Sequence, residues 1–119
     1  MRLIKIVLLL LVLGCSSSFP IEKSPEYPGG KQKLFEFLAN NIKYPEEAKD
    51  LGIKGRVFAQ FLVEKDGSLS NIEILRGIGY GCDKEVIRVI KLMPNWSPGM
   101  QKGKKVRVRF TLPVNFKLK

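Results

Sequence analysis

Apolar and polar residues alternate without interruption near the end of the chain, between Lys105 and Leu118. The apolar set is Val106, Val108, Phe110, Leu112, Val114, Phe116 and Leu118. A period of two held over this length predicts a strand with one face in a core and the other in water. Pro113 lies on the polar face, and proline, which has no N–H, is confined within sheets to edges, strand starts and bulges. The pattern therefore predicts a strand with unpaired backbone, which is either an aggregation hazard or a docking site for another strand.

The remaining periodicities predict three helices and a hairpin. Helical spacing of apolar residues indicates the first helix, whose apolar positions are Leu34, Phe35, Leu38 and Ile42. The pair Asp66-Gly67 is a strong tight-turn signal between two strands. The predicted helices cover Lys31 to Asn41, Glu46 to Leu51, and Asp83 (as N-cap) to about Met93, and the hairpin strands cover Gly55 to Glu64 and Ser68 to Arg76.

This element order predicts an α+β fold with an antiparallel sheet of about three strands and two to three helices packed on one face. Residues 95–103 are rich in turn formers and are interpreted as a connection. Trp96, the single tryptophan, is interpreted as a core residue at the end of the sheet rather than as a platform for a ligand.

The first fifteen residues have the pattern of a bacterial export signal, in which Arg2 and Lys5 precede the apolar run Ile6 to Leu13. The run reaches about half of a ~30 Å hydrocarbon layer, so it is too short for a spanning helix. Val12-Leu13-Gly14-Cys15 resembles a bacterial lipobox, which implies that Cys15 is lipidated and becomes the N-terminus of the mature protein. The alternative is a plain secretory signal with an incidental cysteine.

Three segments follow from these patterns: a lipoprotein-type signal peptide over residues 1–15, a tether over 16–28, and one domain over 29–119. The tether is rich in Ser and Pro and is expected to be disordered or extended. Ser16 stands where an acidic residue would commonly retain a lipoprotein in the inner membrane. By that resemblance the outer membrane is favoured.

The chain is strongly basic, with a formal charge of +10, and 19 basic and 11 acidic residues remain after the leader is removed. From Lys102 onward no acidic residue occurs. Such a surface favours acidic peptides, anionic lipid or nucleic acid, or is simply a solvated strand face. Nucleic acid is disfavoured because the leader directs the chain out of the cytoplasm.

Catalysis is not predicted. The chain has no histidine, which excludes histidine-based acid–base chemistry and histidine metal sites. Gly77-x-Gly79-x-Gly81 has the wrong spacing for a dinucleotide fingerprint. Cys82, the only other cysteine, is interpreted as a small, partly buried residue, with an intermolecular disulfide as the alternative. We expect a non-enzyme without cofactor or metal.

Several motifs, taken in order, resemble the C-terminal domain of TonB, which links an inner-membrane, proton-driven motor to outer-membrane receptors. Their order and spacing, rather than any one of them, carry the resemblance. They are Tyr44-Pro45-Glu46-Glu47-Ala48, Gly52-x-x-Gly55-x-Val57, Val63-x-x-Asp66-Gly67, Met93-Pro94-x-Trp96-x-Pro98-Gly99 and Pro113-Val114-Asn115-Phe116. Residues 25–30 and the helix after them resemble an extension found in one branch of the family.

The resemblance implies recognition by strand addition, in which the short TonB box of a receptor pairs with the last strand. Tyr44 and Pro45 would flank the site. Arg107 and Arg109 would favour an acidic peptide or steer its approach. The implied edge consists of Val106, Arg107, Val108, Arg109, Phe110, Thr111, Leu112, Pro113, Val114, Asn115 and Phe116.

The sequence therefore predicts a lipid-anchored periplasmic binding module that engages a TonB-box-like segment of an outer-membrane transporter or other envelope partner, with a role in TonB-dependent transport. The spanning helix and long Pro-rich spacer of a full TonB have no counterpart among these patterns. The alternative is a structural lipoprotein that forms a homodimer, or docks on an envelope complex, through the same edge without energy transduction. A third hypothesis is that the basic cluster from Lys102 to Arg109 binds anionic lipid headgroups or other acidic envelope polymers.

Overall fold

The computed structural model describes residues 21–118. The predicted leader, its Cys15 and the first residues of the tether lie outside this range. Within it the helices are α1 (Lys31–Asn41), α2 (Glu46–Asp50) and α3 (Cys82–Lys91), and the strands are β1 (Gly55–Val63), β2 (Leu69–Arg76), β3 (Gly99–Gln101), β4 (Lys104–Val106) and β5 (Val108–Phe116).

The main sheet is antiparallel with the order β2-β1-β5. Pairing of β1 with β5 runs without a shift from Gly55 opposite Phe116 to Val63 opposite Val108. The predicted turn joins β1 to β2, and the Asp66 carboxylate accepts hydrogen bonds from the Ser68 N–H at 2.9 Å and its hydroxyl at 2.6 Å. The predicted α+β class with a three-stranded antiparallel sheet is confirmed.

One core joins the helices to a single face of this sheet. The alternation on β1 buries every second residue, and the matching residues of β5 lie on the same face because the pairing is in register. Each large apolar side chain removed from water contributes about 1.5–3 kcal/mol. The buried set includes Val57, Ala59, Phe61 and Val63 of β1, Leu112, Val114 and Phe116 of β5, Leu34 and Leu38 of α1, and Val86, Val89 and Ile90 of α3.

Trp96 belongs to this core, as predicted, with 3% of its surface exposed. Its ring meets Phe61 and Phe110 edge-on, with centroids 5.3 and 4.9 Å apart. Its backbone N–H donates to the Gly67 carbonyl at 2.8 Å. A Cβ at Gly67 would lie 2.1 Å from the Trp96 carbonyl oxygen, so the hairpin turn and the tryptophan segment approach each other as closely as glycine permits.

The prediction of one continuous strand from Lys105 to Leu118 is wrong. The chain leaves β4 at Val106, which pairs with Gly99 of β3, and resumes as β5 at Val108. Lys102 and Gly103, at φ of 53° and 73°, close the β3–β4 hairpin. Two positive φ values in a two-residue loop match the twist of the flanking strands. Lysine is not a usual residue at such a position, so the turn left little signal in the sequence.

Part of the predicted tether is bound to the domain. The Met100 carbonyl accepts hydrogen bonds from the N–H groups of Glu22 and Lys23, and Glu26 and Ser97 exchange bonds of 3.0 and 2.8 Å. Residues 22–26 thus run extended along the side of β3 that β4 leaves free, because that side offers unpaired backbone groups. Backbone hydrogen bonding to the rest of the fold therefore begins at Glu22, before the expected domain start at Gly29.

Asp83 was predicted to be the N-cap of α3, but it does not cap this helix. The N-cap is Gly81, and Asp83 lies inside the first turn. Its carboxylate instead accepts hydrogen bonds from the backbone of Ile78 and Gly79 at 3.0 and 3.2 Å. The acidic residue therefore fixes the glycine-rich loop against the helix.

None of the helices described in residues 21–118 has the length and apolarity needed to cross a bilayer.

Replacing Gly67 with Ala is expected to destabilise the fold more than replacing Gly79 with Ala. Both glycines have positive φ, at 90° and 73°, but an added Cβ would meet nothing within 4 Å at Gly79. We expect a conformational cost of about 1–2 kcal/mol at either site and roughly 1–3 kcal/mol more at Gly67 for the overlap with Trp96. Urea unfolding of both variants measures the difference, and equal losses would contradict the tight packing of the turn.

Candidate functional site

One long side of β5 is open. The sheet order places β5 at an edge, and no other strand described within residues 21–118 pairs with its free side. Proline in an edge strand directs its nitrogen away from the neighbouring strand, and Pro113 lies opposite Phe58 of β1. Because backbone directions alternate along an antiparallel strand, the N–H groups of Arg109, Thr111 and Asn115 point to the open side together with their carbonyls.

The opposite edge of the sheet is less suited to receiving a strand. Pairing of β1 with β2 shifts register twice, between Phe58 and Ala59 and between Gln60 and Leu62. Asn71, in the middle of β2, has a positive φ of 51°. Bulges twist an edge out of the regular geometry that a further strand requires. The regular edge is therefore β5.

A groove, here called the edge groove, lies between α1 and the open side of β5. It consists of a cavity of about 430 Å³ beside residues 110–113 and a second of about 340 Å³ beside residues 113–115. Phe35 and Pro113 line both cavities. Trp96 lines the first, and its Nε1 has no hydrogen-bond partner among the described residues.

Phe35 departs from the helical pattern that groups it with buried residues. Leu34 and Leu38 are buried, whereas Phe35 is 54% exposed. A step of one residue turns a helix by about 100°, so Phe35 lies beside the buried stripe and faces the edge groove. Sequence reasoning did not identify it as a site residue. Its apolar character at the border of the stripe was the available signal.

Contacts at both ends of α1 hold it in place. The Arg88 guanidinium donates to the Asn41 carbonyl at 2.9 Å, and the Glu85 carboxylate accepts the Lys43 N–H at 2.7 Å. The hydrogen bond from Arg88 lowers the pKa of Glu85, against a smaller opposing effect of burial. Before the helix, the Tyr27 ring packs 5.6 Å from that of Phe37, and residues 22–26 are bound to β3.

The two predicted flanking residues, Tyr44 and Pro45, contact different parts of the structure. Tyr44 lies at the end of β5, with its ring edge-on to Phe116 at a centroid distance of 5.5 Å. Its hydroxyl donates to the Ile53 carbonyl, and burial raises the pKa of Tyr44. Pro45 instead lies against Gly81 at the start of α3.

The two arginines expected to attract an acidic peptide line neither cavity of the edge groove. The Arg107 Nε donates to the Glu64 carboxylate at 2.8 Å. Arg109 borders a small cavity that it shares with Leu62 of β1 and Glu73 of β2. Val106 is also removed from the predicted edge by its pairing with β3, so the open edge comprises residues 108–116.

Cys82 is fully buried, and this burial, followed by the charges of Asp83 and Glu85, raises the pKa of its thiol. A buried, protonated thiol is a poor nucleophile. Within residues 21–118 no group of three or more His, Cys, Asp or Glu side chains is placed to hold a metal ion.

Residues 40–118 match the family described as the Gram-negative bacterial TonB protein C-terminal. The chain belongs to this family. Its members are periplasmic binding and transduction domains involved in transport, and they interact with outer-membrane TonB-dependent receptors. None of the curated proteins matches the chain significantly.

Solved structures of TonB C-terminal domains (CTDs) share the fold. The solution structure of the Pseudomonas aeruginosa TonB CTD has 28% identity and a TM-score of 0.51, over 65% of this chain and 78% of that one. That of Helicobacter pylori TonB residues 179–285 has 20% identity and a TM-score of 0.54, over 74% and 79%. The shorter Helicobacter pylori form, residues 194–285, has 20% identity and a TM-score of 0.52, over 74% and 92%.

The stability contributed by Glu64 is expected to disappear in acid. Hydrogen bonds from Ser70 and then Arg107 lower the pKa of Glu64 below its usual 4.5, so the stabilisation is present above that value and is lost as the pH falls through the lowered pKa. Replacing Glu64 with Gln should destabilise the protein at pH 7 and progressively less below pH 4. Urea unfolding across this range measures whether the stabilities of the parent and Glu64→Gln converge, with Glu36→Gln at an exposed position of α1 as control. A stability difference that does not change with pH would contradict the prediction.

Proposed function

We propose that this chain is a periplasmic peptide-binding module that receives a short segment of an outer-membrane TonB-dependent receptor, or of another envelope partner, as an additional strand on β5. The observation that carries the proposal is the open, regular edge of β5. Membership in a family whose domains interact with such receptors supports it. The proposed contact surface is the open edge over residues 108–116, with Tyr44 adjoining its far end.

The backbone of β5 would supply most of the binding free energy. The N–H and carbonyl groups of Arg109, Thr111 and Asn115, and the carbonyl of Pro113, are the partners available to an added strand. A hydrogen bond of this kind contributes about 0.5–1.5 kcal/mol net, so a few of them give modest affinity and side chains must supply selectivity. Pro113 leaves one position of the added strand without a donor.

The proposal includes a lipid anchor at Cys15 and a location at the outer membrane, on the strength of the lipobox pattern. Since residues 22–26 are hydrogen bonded to residues 97–100, at most residues 16–21 are left to link Cys15 to the domain. Six residues reach at most about 20 Å, roughly half of what a tether over 16–28 would allow. Such an anchor would hold the binding edge close to the periplasmic side of receptors in the same membrane.

Self-association through the same edge is the second candidate, and the unpaired backbone of β5 favours it. A pair of equivalent edges gives a closed two-fold dimer. Sedimentation at two protein concentrations separates the candidates, since a domain that remains monomeric at high concentration does not pair in this way.

Replacing Thr111 with Pro is expected to weaken peptide binding at least about tenfold, a loss of roughly 1.4 kcal/mol. The change removes an N–H on the open side and leaves the pairing with β1, because Pro113 already occupies an equivalent position. Thr111→Val keeps the N–H and should bind like the parent chain. NMR titration of the unlipidated mature polypeptide with TonB-box peptides measures both, and unchanged binding by Thr111→Pro would rule out strand addition on β5.

Replacing Cys15 with Ala is expected to release the protein from the membrane fraction and to abolish incorporation of labelled fatty acid. The lipobox requires the thiol as the acyl acceptor, and stable anchoring needs more than one acyl chain. Fractionation of cells expressing both forms, with Cys82→Ala as the control cysteine, tests this. Membrane retention of Cys15→Ala would show that something other than lipid holds the protein there.

A further inference from the structure

Most of the wall of the edge groove that faces β5 lies before the residues that the family model matches. The family match begins at residue 40, whereas α1 begins at Lys31 and the segment bound to β3 begins at Glu22. Strand addition needs only the β5 edge. The extension therefore adds side-chain surface beside the position of an added strand, in a part of the chain that the family match does not cover.

We propose that α1 makes the edge selective for an extended peptide with apolar side chains at positions i and i+2, one in each cavity, and that Phe35 is the specificity-determining residue between them. This rests on the proposed strand addition. It names the chemistry of the partner segment: a pair of apolar residues on one face, separated by one residue that faces solvent.

The spacing of the two cavities fits this pattern. The first borders β5 at residues 110–113 and the second at 113–115, so they follow one another along the strand. Two residues of a strand advance by roughly 7 Å and bring side chains back to the same face. Positions i and i+2 of an added strand would therefore reach successive cavities, with Phe35 and Pro113 at the boundary.

The lining favours apolar side chains on the face that α1 covers. Leu34, Phe35, Trp96, Phe110 and Leu112 contribute to the first cavity, and Leu38, Ala39, Ile42 and Val114 to the second. Charged groups enter only at Glu26 and Lys31 of the first cavity. Burial of apolar surface is favourable, so a pair of filled cavities adds to the modest affinity of backbone pairing.

The groove is formed before a partner arrives. Residues 22–26 are hydrogen bonded to β3, and the far end of α1 is held by Arg88 and Glu85. A wall fixed at both ends loses little conformational freedom on binding, and selectivity is sharper when the site is preorganised. An extended peptide is the occupant that both satisfies the open backbone of β5 and reaches the two cavities along it.

Two capped decapeptides of identical composition test the pattern. Both carry two leucines in a Ser/Thr background: in one the leucines are at i and i+2, on the same face, and in the other at i and i+3, on opposite faces. Trp96 lines the first cavity and is the single tryptophan, so its emission reports occupancy. We expect the same-face peptide to bind roughly tenfold more tightly; equal affinities would overturn the proposal.

Phe35→Ala tests the assigned residue against Leu92→Ala. Both side chains are 54% exposed, and Leu92, which follows α3, lines neither cavity. We expect Phe35→Ala to reduce the preference for the same-face peptide to about twofold or less, and Leu92→Ala to leave it intact. A preference unchanged by Phe35→Ala would overturn the assignment.

Thr111→Pro separates this inference from the proposed function. If Thr111→Pro weakens the binding of both peptides but the parent chain binds the two equally, the selectivity is overturned and strand addition still stands. Binding that is insensitive to Thr111→Pro, or absent for both peptides at millimolar concentration, would count against both. If the free chain dimerises and the peptides do not reverse the dimerisation, the groove is assigned to a second copy of the chain. That outcome would overturn the proposal as well.

Discussion

The continuous antiparallel pairing of β1 with β5 is the interaction on which the rest of the structure depends. Nine residues of each strand face each other without a bulge, so their alternating side chains lie in register and form one apolar face. That face provides the surface on which α1 and α3 pack. The same pairing uses only one side of β5, and the other side is left open because no further strand described within residues 21–118 pairs with it.

The proposed selectivity of the open side of β5 depends on Pro113 within the strand and on α1 beside it. Pro113 interrupts the N–H donors of the edge, which limits indefinite pairing of the kind that drives aggregation. Helix α1 stands beside it, so an incoming chain meets side chains as well as backbone. Phe35 is exposed at this position rather than buried, and an exposed aromatic next to an unpaired edge is more readily explained by recognition than by folding.

The charged groups and the apolar cavities near this edge lie on different parts of the surface. Arg107 is engaged by Glu64, and Arg109 lies toward the outer face of β1 and β2. In the proposed mode of binding, the basic character of the chain would act as a general field that favours the approach of acidic segments, while the edge groove itself is mainly apolar. Steering and selectivity are assigned to different parts of the surface.

Local patterns in the sequence determined most of the elements: the alternation along residues 108–116, the turn at Asp66-Gly67, the bounds of α1 and the burial of Trp96. The proline in that alternation also indicated the open edge. Tertiary structure alone decided the break at Arg107, the pairing of residues 22–26 with β3 and the exposure of Phe35. These depend on contacts between residues far apart in the chain, such as Lys23 with Met100, and periodicity reports only how a segment relates to its own neighbours.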